Sequence, residues 1–256
     1  MRIIGIIPAR MASSRFPGKP LRKIHGYPMI GHVYCRSKMS PMLEDLYVAT
    51  CDQEIAEFIS NIGGKPVMTS ALHERASERA AEALTEIERI TGQKADVVVM
   101  IQGDEPMLVP DMIEESVQPL LDNHSVKVTN LMTRIEKDAE FHDPNEVKVV
   151  VDRNNFAVYF SREPIPSGKN ISCAFDRYKQ ICVIGFRRDF LLEFVQLAPT
   201  PLEKVESVDM LRIIEHGHKV RMVPTKHCVY SVDTEEDLKH VEKLMQHDPL
   251  LREYAL

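Results

Sequence analysis

Cysteine is scarce and forms no pattern. Cys35, Cys51, Cys173, Cys182 and Cys228 are odd in number and scattered, with no Cys-x-x-C pair. That excludes a disulfide framework and a structural zinc site. The five are expected to serve as small buried hydrophobes. Neither G-x-G-x-x-G nor the Gly-Lys-Ser/Thr ending of a Walker loop occurs, so the two common glycine-rich phosphate cradles are absent. No apolar run approaches the length of a membrane span. The N-terminus enters a strand directly where a signal peptide would differ, so the expected location is the cytoplasm, away from any membrane. Positive charge is not in surplus either. The net charge is -6, and without a global basic field nucleic acid is not expected as a partner. Local basic loops for small anions remain open. No internal repeat or low-complexity segment stands out.

What is present is ordinary in bulk and particular in one place. At 256 residues, 44% hydrophobic and 27% charged, the chain can bury one large core, alone or with a subdomain. Ile3, Ile4, Ile6 and Ile7 make a short β-branched run, the composition of a strand buried on both faces of a parallel sheet. After Pro8 and Ala9 comes a polar loop carrying Arg10, Ser13, Ser14, Arg15 and Lys19, with Gly18 for backbone freedom. Three cations and two hydroxyls at the carboxyl end of a first strand suit a triphosphate, because ligands of open α/β sheets bind there. Arginine offers a planar fork and lysine a point charge, a mixture that serves phosphates in several geometries.

Further along, a helix is expected through about Ser37, with Ile30 and Val33 inward. Strands are expected at 46–50, 66–69 and 97–101. Helices are expected from Asp52 to Ile62, closed by Gly63-Gly64, and from Ser77 to Ile90. Strands separated by such helices imply crossover connections and a mainly parallel sheet. Gln102-Gly103-Asp104-Glu105-Pro106 follows the fourth strand. Asp104 there is placed to coordinate Mg²⁺ bridging nucleotide phosphates, whereas the cap of the next helix falls to Pro110 or Asp111. Glu105 is the less certain of the two acids.

The second half is less regular, with strands expected at 126–131, 147–152, 156–162, 178–186 and 219–223. Ser167 to Phe175 reads as a mobile loop, 190–197 as a short helix and Pro201 to His216 as a longer one. The final helix starts at Thr234, whose hydroxyl and Asp237 form a capping box, leaving Asp233 just outside. Asp104 and Asp233 together form a candidate Mg²⁺ pair, since Mg²⁺ takes one or two carboxylates and fills its shell with phosphate and water.

Taken in register, these segments resemble the 3-deoxy-manno-octulosonate cytidylyltransferases (CMP-Kdo synthetases). The likeness rests on Ile-Pro-Ala-Arg-x-x-Ser-x-Arg-x-Pro-Gly-Lys-Pro-Leu from Ile7, on Gly26-x-Pro28-Met29-Ile30-x-His32-Val33, and on Gln102-Gly103-Asp104-Glu105-Pro106. It continues through Pro144-Asn145-x-Val147-Lys148-Val149-Val150, Tyr159-Phe160-Ser161-Arg162 and Val232-Asp233-Thr234-x-Glu236-Asp237-Leu238. The resemblance implies an α/β, Rossmann-like nucleotidyltransferase fold, with a mainly parallel central sheet flanked by helices and a smaller mixed α+β subdomain from the second half. It implies one domain over 1–256: a nucleotide-binding half (1–125), a sugar-binding and dimerising half (126–230), and a metal-ligand segment with the C-terminal helix (231–256). It further implies a homodimer and a Mg²⁺-dependent reaction of CTP with Kdo, giving CMP-Kdo and pyrophosphate for lipopolysaccharide synthesis.

By position, the resemblance assigns Pro8, Ala9, Arg10, Ser13, Arg15, Lys19, Arg75, Ser77, Arg79 and Gln102 to the nucleotide. It assigns Gln102, Arg162, Gln180, Ile184, Glu206 and Met210 to the sugar acid, and Asp104 and Asp233 to the metal. Arg10, Lys19 and Asp104 carry the catalytic charge. Arg162 is suited to the acceptor's carboxylate.

Three departures bear on the substrate. The family's His-x-Ser-Gly-Thr-Glu/Asp-Arg is His73-Glu74-Arg75-Ala76-Ser77-Glu78-Arg79 here, and Arg75 either reinforces the phosphate site or points to solvent. Its His-Leu-Gly-x-Tyr strand is Gln180-Ile181-Cys182-Val183-Ile184, and its Glu-Gln-Leu-Arg is Asp209-Met210-Leu211-Arg212. Exchanging polar for apolar groups in a pocket that reads hydroxyls changes which hydroxyls are satisfied. The departures point to a related 3-deoxy-ulosonic acid, deoxygenated or aminated at one carbon, with 8-amino-Kdo or a nonulosonic acid as alternatives, while the resemblance as a whole makes Kdo the expected acceptor. A catalytically silent nucleotide-sugar binding protein is the rival of another class.

Overall fold

The β-branched run at the N-terminus becomes the innermost strand. In a computed structural model of the chain, which describes residues 1–12, 16–168 and 175–254, Ile3–Ala9 forms β1 with every residue buried. A 3-10 turn at Lys19–Leu21 and two short strands, β2 (Lys23–Ile24) and β3 (Tyr27–Pro28), lead to α1 (Met29–Lys38). Then follow β4 (Asp45–Thr50), α2 (Gln53–Asn61), β5 (Lys65–Met68), α3 (Ala76–Thr91), β6 (Val97–Ile101) and α4 (Pro110–Asp122). Beyond these lie β7 (Val128–Arg134), α5 (Asp138–His142), β8 (Lys148–Val151), β9 (Ala157–Ser161) and β10 (Tyr178–Arg187). The chain closes with α6 (Arg188–Phe194), α7 (Pro201–Glu206), α8 (Met210–Glu215), β11 (Arg221–Pro224), α9 (Glu235–Met245) and a 3-10 turn at Pro249–Glu253. No helix among the described residues is long and apolar enough to cross a membrane.

Two compact units divide the chain, Met1–Glu114 with Val229–Leu256, and Glu115–Cys228. In the first, the strand order is β6-β1-β4-β5 and every pairing is parallel. Such a sheet needs crossovers on its faces, and the helices between the strands supply them. Ile4, Ile6, Ile7, Val48, Val97, Val98 and Val99 are closed to solvent, as are Ile30 and Val33 on α1. Because β1 and β6 run side by side in the same direction, with Ile6 opposite Met100, the loops after Ala9 and Ile101 leave the sheet at the same edge.

The second unit is mixed. β7 pairs β10 antiparallel and β11 parallel, and β8 pairs both β10 and β9 antiparallel. The register of β10 against β7 shifts between Ile181 and Ile184, a bulge that re-aims the side chains around it.

Two expectations are corrected. Pro201 to His216 is not one helix: Ser207 takes the left-handed conformation (φ 55°) and ends α7, and the chain restarts at Met210. On a continuous helix Glu203 and Arg212 would stand about 13 Å apart along the axis. The break folds Arg212 back onto Glu203, and the buried pair forms two hydrogen bonds of 2.7 and 2.5 Å. The cysteines are not core hydrophobes. Cys35, Cys51 and Cys182 are partly exposed and Cys228 is exposed, none of them in a disulfide among the described residues. Cys173 and most of the 167–175 loop lie outside the described residues.

Candidate active site

The first unit gathers its chemistry at the carboxyl edge of β1 and β6. Gly18 sits in the left-handed region (φ 72°) and caps the 3-10 turn that begins at Lys19. Its N–H closes the preceding loop onto the carbonyl of Met11 at 3.1 Å. Phe16, an apolar residue inside a polar loop, enters a core cluster with Ile24, Met29, Val232, Val241 and Met245. This cluster fixes the backbone on either side of Lys19, and Val232 within it precedes Asp233.

Lys19 Nζ donates to Asp104 Oδ2 at 2.8 Å and to Asp233 Oδ1 at 3.1 Å, with all three side chains largely shielded. Burial works against the ammonium, but the two carboxylates outweigh it and hold the Lys19 amine above the usual lysine value. The backbones are tied independently: Val232 N–H donates to the carbonyl of Asp104 at 2.9 Å. Gly103 packs so closely that a Cβ there would lie 3.2 Å from the Pro8 carbonyl oxygen and 3.0 Å from Ile30 Cδ1. Glycine is what lets the Asp104 loop lie against the end of β1. Asp104 caps no helix, since α4 begins at Pro110. The expected capping box of α9 is present: Asp237 N–H donates to Thr234 Oγ1 at 3.2 Å, and Asp237 Oδ2 accepts from Thr234 N–H at 2.8 Å and Asp233 N–H at 3.0 Å.

Pro8 and Ala9 end β1, buried. Arg10 is exposed and donates through Nη1 to the carbonyl of His73 at 3.2 Å, joining the first loop to the segment before α3. That segment is braced by a close pair between His73 Nε2 and Glu82, and Glu82 also accepts from Ser70 N–H at 2.8 Å. Arg75 stands at the start of α3, half-buried, and its N–H donates to Glu78 Oε2 at 3.3 Å. Ser77 is fully buried. Arg79 points inward, donating through Nη1 to Thr69 Oγ1 at 2.6 Å and to the Ser70 carbonyl at 3.1 Å. Its buried Nη2 has no acceptor among the described residues. Gln102 follows β6 and is half-buried. Ser13 and Arg15 lie outside the described residues.

The residues assigned to the sugar acid other than Gln102 fall in the second unit. Arg162 donates through Nε to the Glu206 carbonyl and through Nη1 to the Pro144 carbonyl, both at 2.9 Å. Glu206 Oε1 accepts from Ser161 Oγ at 2.8 Å and Tyr159 OH at 3.2 Å, and Oε2 accepts from Arg162 N–H at 2.9 Å. Buried Lys148 gathers the same segments, donating to the carbonyls of Asp143 and Glu146 at 2.7 Å and to that of Arg162. Gln180 Nε2 donates to buried Asn130 Oδ1 at 2.6 Å. Ile184 and Met210 are closed to solvent.

The sequence marks Asp52 only as a helix start. Its carboxylate accepts the N–H of Met11 at 2.7 Å and clamps the first loop. The available signal was its place directly after a buried strand. Lys148 carried a signal too, a lone cation in the β-branched run Val147–Val151. Nothing in the sequence marked the Val232–Asp104 contact.

An ammonium between two carboxylates at the carboxyl edge of a parallel sheet suits nucleotidyl transfer, and three comparisons bear on it. A family model described as Cytidylyltransferase matches residues 4–221. A 3-deoxy-manno-octulosonate cytidylyltransferase of Geobacter metallireducens is 42% identical over 95% of this chain and 98% of its own length. Its counterpart in Fusobacterium nucleatum subsp. nucleatum is 40% identical over 94% and 96%. Among solved structures, a CMP:2-keto-3-deoxy-manno-octonic acid synthetase complexed with CTP superposes with a TM-score of 0.86 at 36% identity, covering 96% of this chain and 98% of that one. A cytidylyltransferase of Leptospira borgpetersenii shares the fold at a TM-score of 0.63 and 18% identity, over 96% of this chain and 87% of that one.

Proposed function

The chain belongs to the cytidylyltransferase family, and on that premise we propose that it transfers CMP from CTP to the anomeric hydroxyl of Kdo. The carrying observation is Lys19 held between Asp104 and Asp233 at the edge where β1 and β6 end. The anomeric oxygen attacks the α-phosphorus, a new P–O bond forms, and the bond to the bridging oxygen breaks as pyrophosphate leaves. The hydroxyl proton is released in the same exchange. No nucleophilic side chain is required. The protein's work is to align the two reactants and to neutralise charge on the phosphates.

Lys19 and Arg10 meet the phosphates. Arg10 is tied to the His73 carbonyl, and the leftover donor of Arg79 supports a role for the same segment. Asp104 and Asp233 would hold Mg²⁺: two hard oxygen donors already converge on one cation, and phosphate oxygens would complete the shell. The metal would supply Lewis-acid neutralisation of the triphosphate. Arg162, with Nη2 making no hydrogen bond among the described residues, is the candidate partner of the acceptor's carboxylate.

The departures at Ile184 and Met210 favour Kdo over an altered acid. Both side chains are packed away from solvent, and as apolar neighbours they would offer an added amino or hydroxyl group no partner. The product would serve lipopolysaccharide synthesis, in the cytoplasm where CTP is made. Assembly as a homodimer is supported by family likeness and is checked by light scattering. The reaction is tested by pyrophosphate release with Mg²⁺ and each of CTP, UTP, ATP and GTP, using Kdo, 8-amino-Kdo and a nonulosonic acid as acceptors. Turnover with CTP and Kdo alone supports the proposal, and turnover only with another acid moves the pathway while keeping the chemistry. CTP binding without any turnover would support the silent binding protein.

A further inference from the structure

The same ammonium that serves the phosphates is placed against a second cation. Lys19 Nζ occupies Asp104 Oδ2 and Asp233 Oδ1 together, and a divalent ion held by those oxygens needs the position and the charge the ammonium takes. We propose that Lys19 is a lock on the metal site of the nucleotide-free protein. Its ammonium competes with Mg²⁺ for the two carboxylates, and the arriving triphosphate draws it off and releases them. The inference rests on the reading of Asp104 and Asp233 as metal ligands.

Three features fit a lock and not a fixed brace. Lysine carries its charge on a flexible four-carbon stem, so the head can move from carboxylate to phosphate while the backbone stays. That backbone is held at both sides, by the left-handed Gly18 and by the buried Phe16. Above all, the main chain that carries the two carboxylates does not depend on Lys19 for its place. Val232 N–H holds the Asp104 carbonyl, and the Asp233 N–H is bound by Asp237. Withdrawing the ammonium therefore leaves the backbones of both ligands where they are.

The consequence is unusual for a binding residue: removing it tightens the metal. Mn²⁺ binding to the nucleotide-free full chain, followed by electron paramagnetic resonance of the free ion, reads this directly. Lys19→Met is expected to bind Mn²⁺ at least about tenfold more tightly than the wild type, because the two adjacent carboxylates lose the ammonium they share. Lys19→Arg, which keeps a charge over them, is expected to stay near the wild type. Arg10→Met, a lost charge that touches neither carboxylate, is expected to change binding by less than about threefold, since exposed charges are screened. Saturating α,β-methylene-CTP should tighten Mn²⁺ on the wild type and add less to Lys19→Met. Thermal melting confirms that each variant is folded, and if Lys19→Met is not, Lys19→Gln takes its place. Equal or weaker Mn²⁺ binding by the folded neutral variant overturns the lock. Unchanged Mn²⁺ binding to the nucleotide complex of Asp104→Asn would instead overturn the ligand assignment beneath it.

Discussion

The backbone N–H of Val232 donates to the carbonyl oxygen of Asp104 at 2.9 Å. This bond joins the loop after β6 to the segment before α9, and it ties the two main chains independently of the Lys19 bridge between the carboxylates. Position and charge are thus separable at this site. Asp104→Asn and Asp233→Asn are each expected to lower kcat by at least about 10²-fold, the scale of losing one preorganised charge contact. Their melting temperatures should stay close to the wild type. Steady-state kinetics beside thermal melts checks both halves.

Phe16 gives the opposite test, an apolar residue with a catalytic consequence. It is buried with Val232 and Met245 in the cluster that anchors the first loop. Phe16→Ala is expected to cost about 3 kcal/mol of stability and to raise KM for CTP, because the backbone carrying Lys19 loses its anchor. Urea denaturation and CTP titration of the folded variant read the two effects separately.

The C-terminal turn is a second anchor. Arg36, wholly buried on α1, donates to Tyr254 OH at 2.8 Å and to Asp248 Oδ2 at 2.6 Å. Asp248→Asn leaves a buried guanidinium without its counter-charge and is expected to cost about 3 kcal/mol or more. Tyr254→Phe removes a hydroxyl bound on two sides and should cost about 1–3 kcal/mol. Urea denaturation ranks the two, and kcat at saturating substrates should be little changed in both.

His32 makes this region sensitive to acid. Its Nε2 faces the carbonyls of Ile24 and Tyr27 at 2.8 and 3.2 Å and so carries the proton, which leaves Nδ1 to accept from Tyr254 OH at 2.9 Å. Burial is the main cause that pushes the imidazole pKa down to about 4, with the Arg36 charge adding to it. Because the folded value lies below the unfolded 6.5, the unfolded chain takes the proton first as pH falls. The stability is therefore complete above pH 6.5 and is lost progressively toward pH 4, by about 3 kcal/mol. A His32→Gln variant should lose that part of the slope between pH 6.5 and 4, measured by denaturant unfolding at fixed ionic strength.

The sequence made legible whatever depends on composition over a few residues. Ile3 to Ile7 and Val97 to Ile101 declare doubly buried strands, Thr234 and Asp237 a cap, and Asp104 its place after a buried strand. What it concealed depends on tertiary closure. Glu203 and Arg212 share a helical pattern, and only the turn at Ser207 reveals that they pair. Phe16 is a single apolar residue in a polar loop, with no periodicity to mark its burial. Arg79, which the resemblance assigns to the nucleotide, points inward to Thr69 and Ser70, a contact between helix and strand end that no local pattern marks. The second unit's irregular pairing around β8, β9 and β10 hides a comparable knot, in which Lys148 holds the carbonyl of Arg162.

The central claim is the formation of a CMP-linked sugar acid, and ³¹P nuclear magnetic resonance of a mixture of protein, Mg²⁺, CTP and Kdo tests it most directly. The account predicts loss of the three CTP resonances, the appearance of one phosphodiester signal and one of pyrophosphate in equal amounts, and no such change with Asp104→Asn. Pyrophosphate without a phosphodiester, or equal conversion of UTP, would contradict it.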